Sequence, residues 1–144
     1  MSALYLVSCV SKKKDKACPA KDLYISDWFR KARTYVESTG HPWFILSAEY
    51  GLVNPETVIE PYERTLNKMP VRERRAWAGQ VIAQLRGELG GVDRIVILAG
   101  ARYREFIMPA LTESVAEVEV PLEGLRIGEQ LSWLLGKTRH EQTR

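Results

Sequence analysis

Apolar positions along this chain fall into two rhythms. Residues 4–7 and 43–46 are short, unbroken apolar runs, and residues 94–98 add four apolar positions after Arg94. Each run is bounded by polar residues, proline or glycine, a pattern that predicts strands buried on both faces. Between them the period changes. Phe29, Ala32, Tyr35 and Val36 lie at helical spacing and predict a helix from Ser26 or Asp27 to about Ser38, with Gly40 beyond it. Ala78, Val81, Ile82, Leu85 and Leu89 predict a longer helix that opens at Pro70 or Val71 and closes before Gly90 and Gly91. Residues 115–120 alternate apolar and acidic side chains, as expected of an edge strand with one wet face. A short helix at about 103–108, limited by Pro109, and a last one at about 128–135 with Leu131, Leu134 and Leu135 inward complete the pattern.

Four strand–helix alternations predict a three-layer α/β fold. It has a mainly parallel sheet of about four to five strands with helices on both faces. Residues 1–137 read as one domain and 138–144 as a polar, frayed tail. Two stretches stay outside the pattern. Residues 11–22 hold five lysines and read as a basic loop. Residues 53–70 carry Pro55, Pro61 and Pro70, and a connection that long is usually functional or disordered; the prolines argue for order.

Composition narrows the classes. The net charge of +3 is too small, taken alone, to argue for nucleic acid. Two cysteines make no disulfide framework, and a zinc site would need Cys9, Cys18, His41 and His140 all to converge, so no metal is expected. No motif asks for a cofactor. No stretch approaches the length of a membrane span, and the first residues lack a signal-peptide pattern, so the chain reads as cytoplasmic, with reduced thiols and no membrane partner.

Ligands of open α/β sheets bind beyond the carboxyl ends of the strands. Those positions are Ser8, Cys9, Ser11, Lys12 and Lys13 after the first strand, and Ser47, Glu49, Tyr50 and Gly51 after the second. Gly100, Arg102 and Tyr103 follow the third, and Pro121, Glu123 and Gly124 the fourth. Small or hydroxylated residues beside a base or an aromatic suit a flat ligand with polar edges, such as a nucleobase. Each residue also has a plainer reading. A lysine run is ordinarily solvated surface, but Lys12 and Lys13 follow a buried strand so closely that they stay near its end. There, like charge and partial burial lower an ammonium pKa and favour a nucleophile, or a phosphate grip. Cys9 is core packing or a lysine-activated thiolate, and a redox couple with Cys18 is open. Tyr24 and Ser26 open the first helix; Ser26 is an N-cap, or its terminus holds an anion. Tyr50 and Gly51 form a turn or a pocket rim, while Pro61 and Tyr62 form a loop anchor or a rigid aromatic wall. Arg64, Arg72, Arg74 and Arg75 read as a solvated helix face, or with the lysines as a phosphate-tracking surface.

The stretch Leu46-Ser47-Ala48-Glu49-Tyr50-Gly51-Leu52, followed by Pro55, Pro61 and Tyr62, resembles the hallmark of the YaaA-like (peroxide-stress) superfamily. That resemblance implies a DNA-associated, base-recognising or oxidative-stress role. The spacing of Cys9 and Lys13, with Tyr24 and Ser26 further on, also resembles the catalytic core of archaeosine synthase, which implies a catalytic role for Lys13. Phe29 stands where that family has a histidine. Together these features lead to an enzyme acting on a nucleobase or an N-glycosidic bond of a nucleotide or nucleic acid. Lys13 or Lys12 would serve as nucleophile or electrostatic stabiliser, with Tyr50 and Tyr62 stacking the base. The alternative is a nucleotide- or DNA-binding module without turnover, using the same pocket.

Overall fold

A computed structural model describes residues 2–142, with the backbone alone considered for 140–142. The chain runs β1 (Ala3–Ser8), β2 (Cys18–Pro19), α1 (Ala20–Leu23), α2 (Asp27–Ser38), β3 (Trp43–Ser47), β4 (Gly51–Val53) and β5 (Val58–Ile59). A 3₁₀ turn (Leu66–Lys68) leads into α3 (Val71–Arg86), β6 (Arg94–Leu98), α4 (Ala101–Arg104), α5 (Met108–Ser114), β7 (Glu117–Glu119) and α6 (Ile127–Gln142). Five strands form one sheet in the order β4-β3-β1-β6-β7. All its pairings are parallel except β3 with β4. This is the expected three-layer α/β fold.

β1 sits at the centre because all six of its residues are buried, flanked by the equally apolar β3 and β6. From β1 the chain steps through α2 to β3 on one side, then crosses through α3 to β6 on the other. Right-handed crossovers therefore put α2 and α3 on opposite faces of the sheet. α6 packs beside α2. The carboxyl end of β1 thus opens where connections diverge, the position at which such sheets bind ligands.

Several expected elements have different limits. The helix opened at Val71 ends at Arg86, capped by Gly87, so Leu89 lies beyond it. Pro109 falls in the first turn of α5 rather than ending the helix before it, since a first-turn proline has no intrahelical N–H to lose. The edge strand keeps only Glu117–Glu119. α6 continues through the tail expected to fray: Thr138 is buried, and its hydroxyl donates to the Leu134 carbonyl at 2.9 Å. Leu135, expected inward, is 39% exposed. Residues 143 and 144 of that tail lie outside the described residues.

The basic loop is also structured. Lys12 and Lys14 exchange backbone hydrogen bonds with Ile25 and Leu23 at 3.0 and 2.9 Å, so the stretch doubles back on itself. β2 pairs with β5, and the Ala20 and Lys21 N–H groups donate to Thr57 and Pro55 at 2.8 and 3.0 Å. Residues 11–25 and 53–59 therefore brace each other over the end of the sheet.

Candidate functional site

A cavity of about 390 Å³ opens at the carboxyl end of β1. Cys9, Ser11 and Lys13 supply one wall, Tyr103 of α4 the floor, and Tyr62, Arg64 and Lys68 belong to the wall contributed by residues 62–68. Backbone pairing explains how Lys13 reaches it: an antiparallel bridge fixes the Lys13 backbone to Tyr24, in the extended link between α1 and α2 rather than in the helix it is expected to open. Its Nζ lies 4.4 Å from the centroid of the Tyr62 ring and 5.7 Å from that of Tyr24, and donates to the Ser11 carbonyl at 3.2 Å. A cation over two aromatic faces is held electrostatically as well as sterically.

Behind Lys13 runs a hydroxyl network. The Tyr24 and Tyr62 hydroxyls share a hydrogen bond of 2.7 Å. Ser47, fully buried at the end of β3, donates to the Tyr62 hydroxyl at 2.9 Å and accepts the Tyr50 N–H at 3.0 Å. Tyr50 stands edge-on to Tyr62, with centroids 5.7 Å apart. On the other side the Cys9 thiol donates to the Tyr103 hydroxyl at 3.5 Å, which also accepts the Leu66 N–H at 3.4 Å. Trp77 of α3 closes the floor edge-on to Tyr103 and donates its indole N–H to the Ser47 carbonyl at 2.8 Å.

Burial sets the proton inventory. It raises the Tyr24, Tyr62 and Tyr103 phenols well above their ordinary value, and the nearby Cys9 sulfur adds to each rise. Their hydroxyls stay protonated at neutral pH and serve as hydrogen-bonding groups, not as bases. Lys13 moves the other way: burial lowers its pKa, against the opposing pull of Cys9 and Glu63. It is the group in the cavity shifted toward a free amine.

Of the residues singled out in the sequence, Cys9, Ser11, Lys13, Tyr62 and Tyr103 line this cavity. Tyr24, Ser47 and Tyr50 stand behind it, through the hydroxyl network and the edge-on contact with Tyr62. Ser8 and Gly100 line a neighbouring cavity. Lys12 is exposed and Pro61 half-buried, and both lie outside the two linings. Ser26 accepts the Phe29 N–H at 3.1 Å as an N-cap and also lies outside them. Glu49 reaches toward Arg64 at 3.8 Å, one wall away. Gly51 adopts φ 76° in the tight turn into β4. Cys18 lies in β2, away from Cys9's cavity, and both thiols are free.

The arginine cluster is split rather than one solvated face. Arg64 lines the cavity, and Arg75 stacks over Phe106 at 4.2 Å. Arg74 is buried, paired with Glu105 at 2.7 Å. Glu63, Thr65, Asn67 and Lys68 join the lining without any expectation from the sequence, although their place in an eighteen-residue unpatterned connection is a usable signal. Among the described residues no three His, Cys, Asp or Glu side chains are grouped to hold a metal, and no helix is long and apolar enough to cross a membrane. His140, one of the four residues a zinc site would need, has its side chain outside the described residues.

Fold and cavity define an α/β domain with a polar pocket built around a lysine at its central strand. Residues 4–136 match the profile of a family of unknown function, DUF6884, and the chain belongs to that family. No curated protein and no solved structure matches it.

Proposed function

We propose that this protein is a nucleobase- or nucleotide-processing enzyme acting at an N-glycosidic bond, with Lys13 as nucleophile. The observation that carries the reading is Lys13 itself, partly buried over Tyr62 in the wall of a closed-backed cavity, with its pKa lowered. The free amine attacks C1′ and forms an Nζ–C1′ bond. The C1′–N bond breaks, its electron pair stays with the departing base, and the amine proton follows it. Water then hydrolyses the sugar–lysine link. The likeness of residues 46–62 to the YaaA-like proteins, and of Cys9 and Lys13 to archaeosine synthase, bears on the same cavity and supports this reading.

Borohydride trapping tests it. Opening of the sugar–lysine link gives an iminium ion that borohydride reduces to a permanent adduct. The protein is incubated with a panel of nucleotides and a short single-stranded oligonucleotide, reduced, and analysed by intact and peptide mass spectrometry. The expected result is an adduct on Lys13, absent in Lys13→Ala and retained in Lys12→Ala. Base release that proceeds equally in Lys13→Ala overturns the proposal. One feature favours the binding-module reading: Lys13, Arg64 and Lys68 face a single carboxylate, Glu63, in the cavity wall. Under that reading Lys13→Ala lowers affinity and its salt dependence, and no base is released by the wild type.

A further inference from the structure

Beside the lysine cavity lies a second one of about 500 Å³, and the two share Cys9, Val10, Asn67 and Tyr103 as a common edge. Their walls differ in kind. The first carries three cations against one carboxylate. The second has no carboxylate and a single cation, Arg102, which lies 3.8 Å from Glu105; its outer wall is Trp28 from α2 with Ile127 and Gln130 from α6. Trp28 is fixed in place: its indole N–H donates to Gln130 Oε1 at 2.9 Å, and Gln130 Nε2 donates to the Leu125 carbonyl at 2.9 Å. An aromatic ring held this way loses little freedom when a flat ligand stacks on it. Ile127 is 61% exposed at the same opening, an apolar side chain beside the Trp28 wall.

We infer that the two cavities are one bipartite site for a nucleoside 5′-monophosphate. The base lies against Trp28 and Ile127. The phosphate sits between Arg64 and Lys68, and the sugar crosses the edge formed by Cys9 and Tyr103, leaving the Lys13 amine for C1′. This inference rests on the proposed function and deepens it, because such a pose sets the N-glycosidic bond over the common edge, on the lysine side of the base. Cavities of this size are ordinary for small ligands, and a cationic lobe joined to an aromatic one matches the two ends of a nucleotide.

Calorimetric titration with adenosine and guanosine 5′-monophosphates, and with ribose 5-phosphate as the base-free probe, tests it. A mononucleotide binds at least about tenfold more tightly than ribose 5-phosphate, as expected of one stacked base. Ile127→Asp, a surface change that leaves the core untouched, removes that advantage and leaves ribose 5-phosphate affinity within about twofold. Lys68→Ala, also on the surface, weakens both ligands. Trp28→Phe retains most of the affinity that Trp28→Ala loses. Equal binding of mononucleotide and ribose 5-phosphate overturns the bipartite site, as does an Ile127→Asp variant that binds mononucleotides like the wild type. The lysine chemistry fails separately: the binding split without a borohydride adduct sinks the nucleophile and keeps the site, while an adduct without the split does the reverse.

Discussion

Ser47→Ala removes one oxygen from a side chain with no exposed surface, and the consequences follow from its two hydrogen bonds. Its hydroxyl donates to Tyr62 at 2.9 Å and accepts the Tyr50 N–H at 3.0 Å. The variant loses both and strands the Tyr50 N–H at a half-buried turn, while Tyr62 keeps only its bond to Tyr24 at 2.7 Å. A net hydrogen bond contributes about 1 kcal/mol, and a stranded buried donor costs about 1–3 kcal/mol, so the expected loss is about 2 kcal/mol. For a chain of 144 residues that corresponds to a fall in Tm of about 6 °C. Calorimetry and urea titration measure it directly. Tyr62→Phe and the double variant complete a cycle in which the two changes couple by about 1 kcal/mol, because both act on one bond. A Ser47→Ala protein within about 0.5 kcal/mol of wild type, and additive with Tyr62→Phe, would refute the claim that this network fixes the wall beneath Lys13.

Arg74→Ala leaves the Glu105 carboxylate and the Met69 carbonyl without their shared partner. Breaking a buried pair costs about 3–5 kcal/mol, but Glu105 is 31% exposed, so about 2–3 kcal/mol is expected from urea midpoints. Gly51→Ala meets two obstacles, φ 76° and the Gln80 and Gln84 amides, which bond to Tyr50 and Leu52 across that turn. A loss of about 1–3 kcal/mol follows, read as a lower Tm; an unchanged Tm contradicts it. Lys13→Met tests the sign of the lysine shift. Because burial lowers the folded-state pKa below the ordinary 10.5, the unfolded chain binds more protons between the two values, and wild-type stability rises with pH across that window. The variant lacks that slope, so its stability relative to wild type is highest below the window and declines as pH rises through it. Parallel stability curves from pH 7 to 10.5 would rule the shift out.

What the sequence reveals follows from how each element is specified. β1, β3 and β6 are legible because strands covered on both faces need uninterrupted apolar runs, and α2 because its buried stripe repeats every three to four residues. β4 is not, because three residues hold it by register against β3 after a tight turn, leaving no period to read. β2 and β5 are two residues each, fastened by backbone groups that any sequence carries. Arg74 is a related case: a charged residue on a helix reads as solvated until its partner, thirty-one residues away at Glu105, is known to face it. The candidate site divides along the same line. The strand-end rule finds Cys9, Lys13 and Tyr103, which follow closely on β1 and β6, although the bridge to Tyr24 is what turns Lys13 back into the cavity. Glu63, Arg64, Asn67 and Lys68 depend on how a long connection folds back over the sheet, which is settled by remote contacts such as the Leu66 N–H on the Tyr103 hydroxyl at 3.4 Å. The cation over Tyr62 comes from joining the two kinds of element, a strand-end lysine and a proline-stiffened loop that has no periodicity to reveal it. Chemistry in this domain therefore depends on that join, and a change that releases residues 62–68 should disable the cavity while leaving the five-stranded sheet intact.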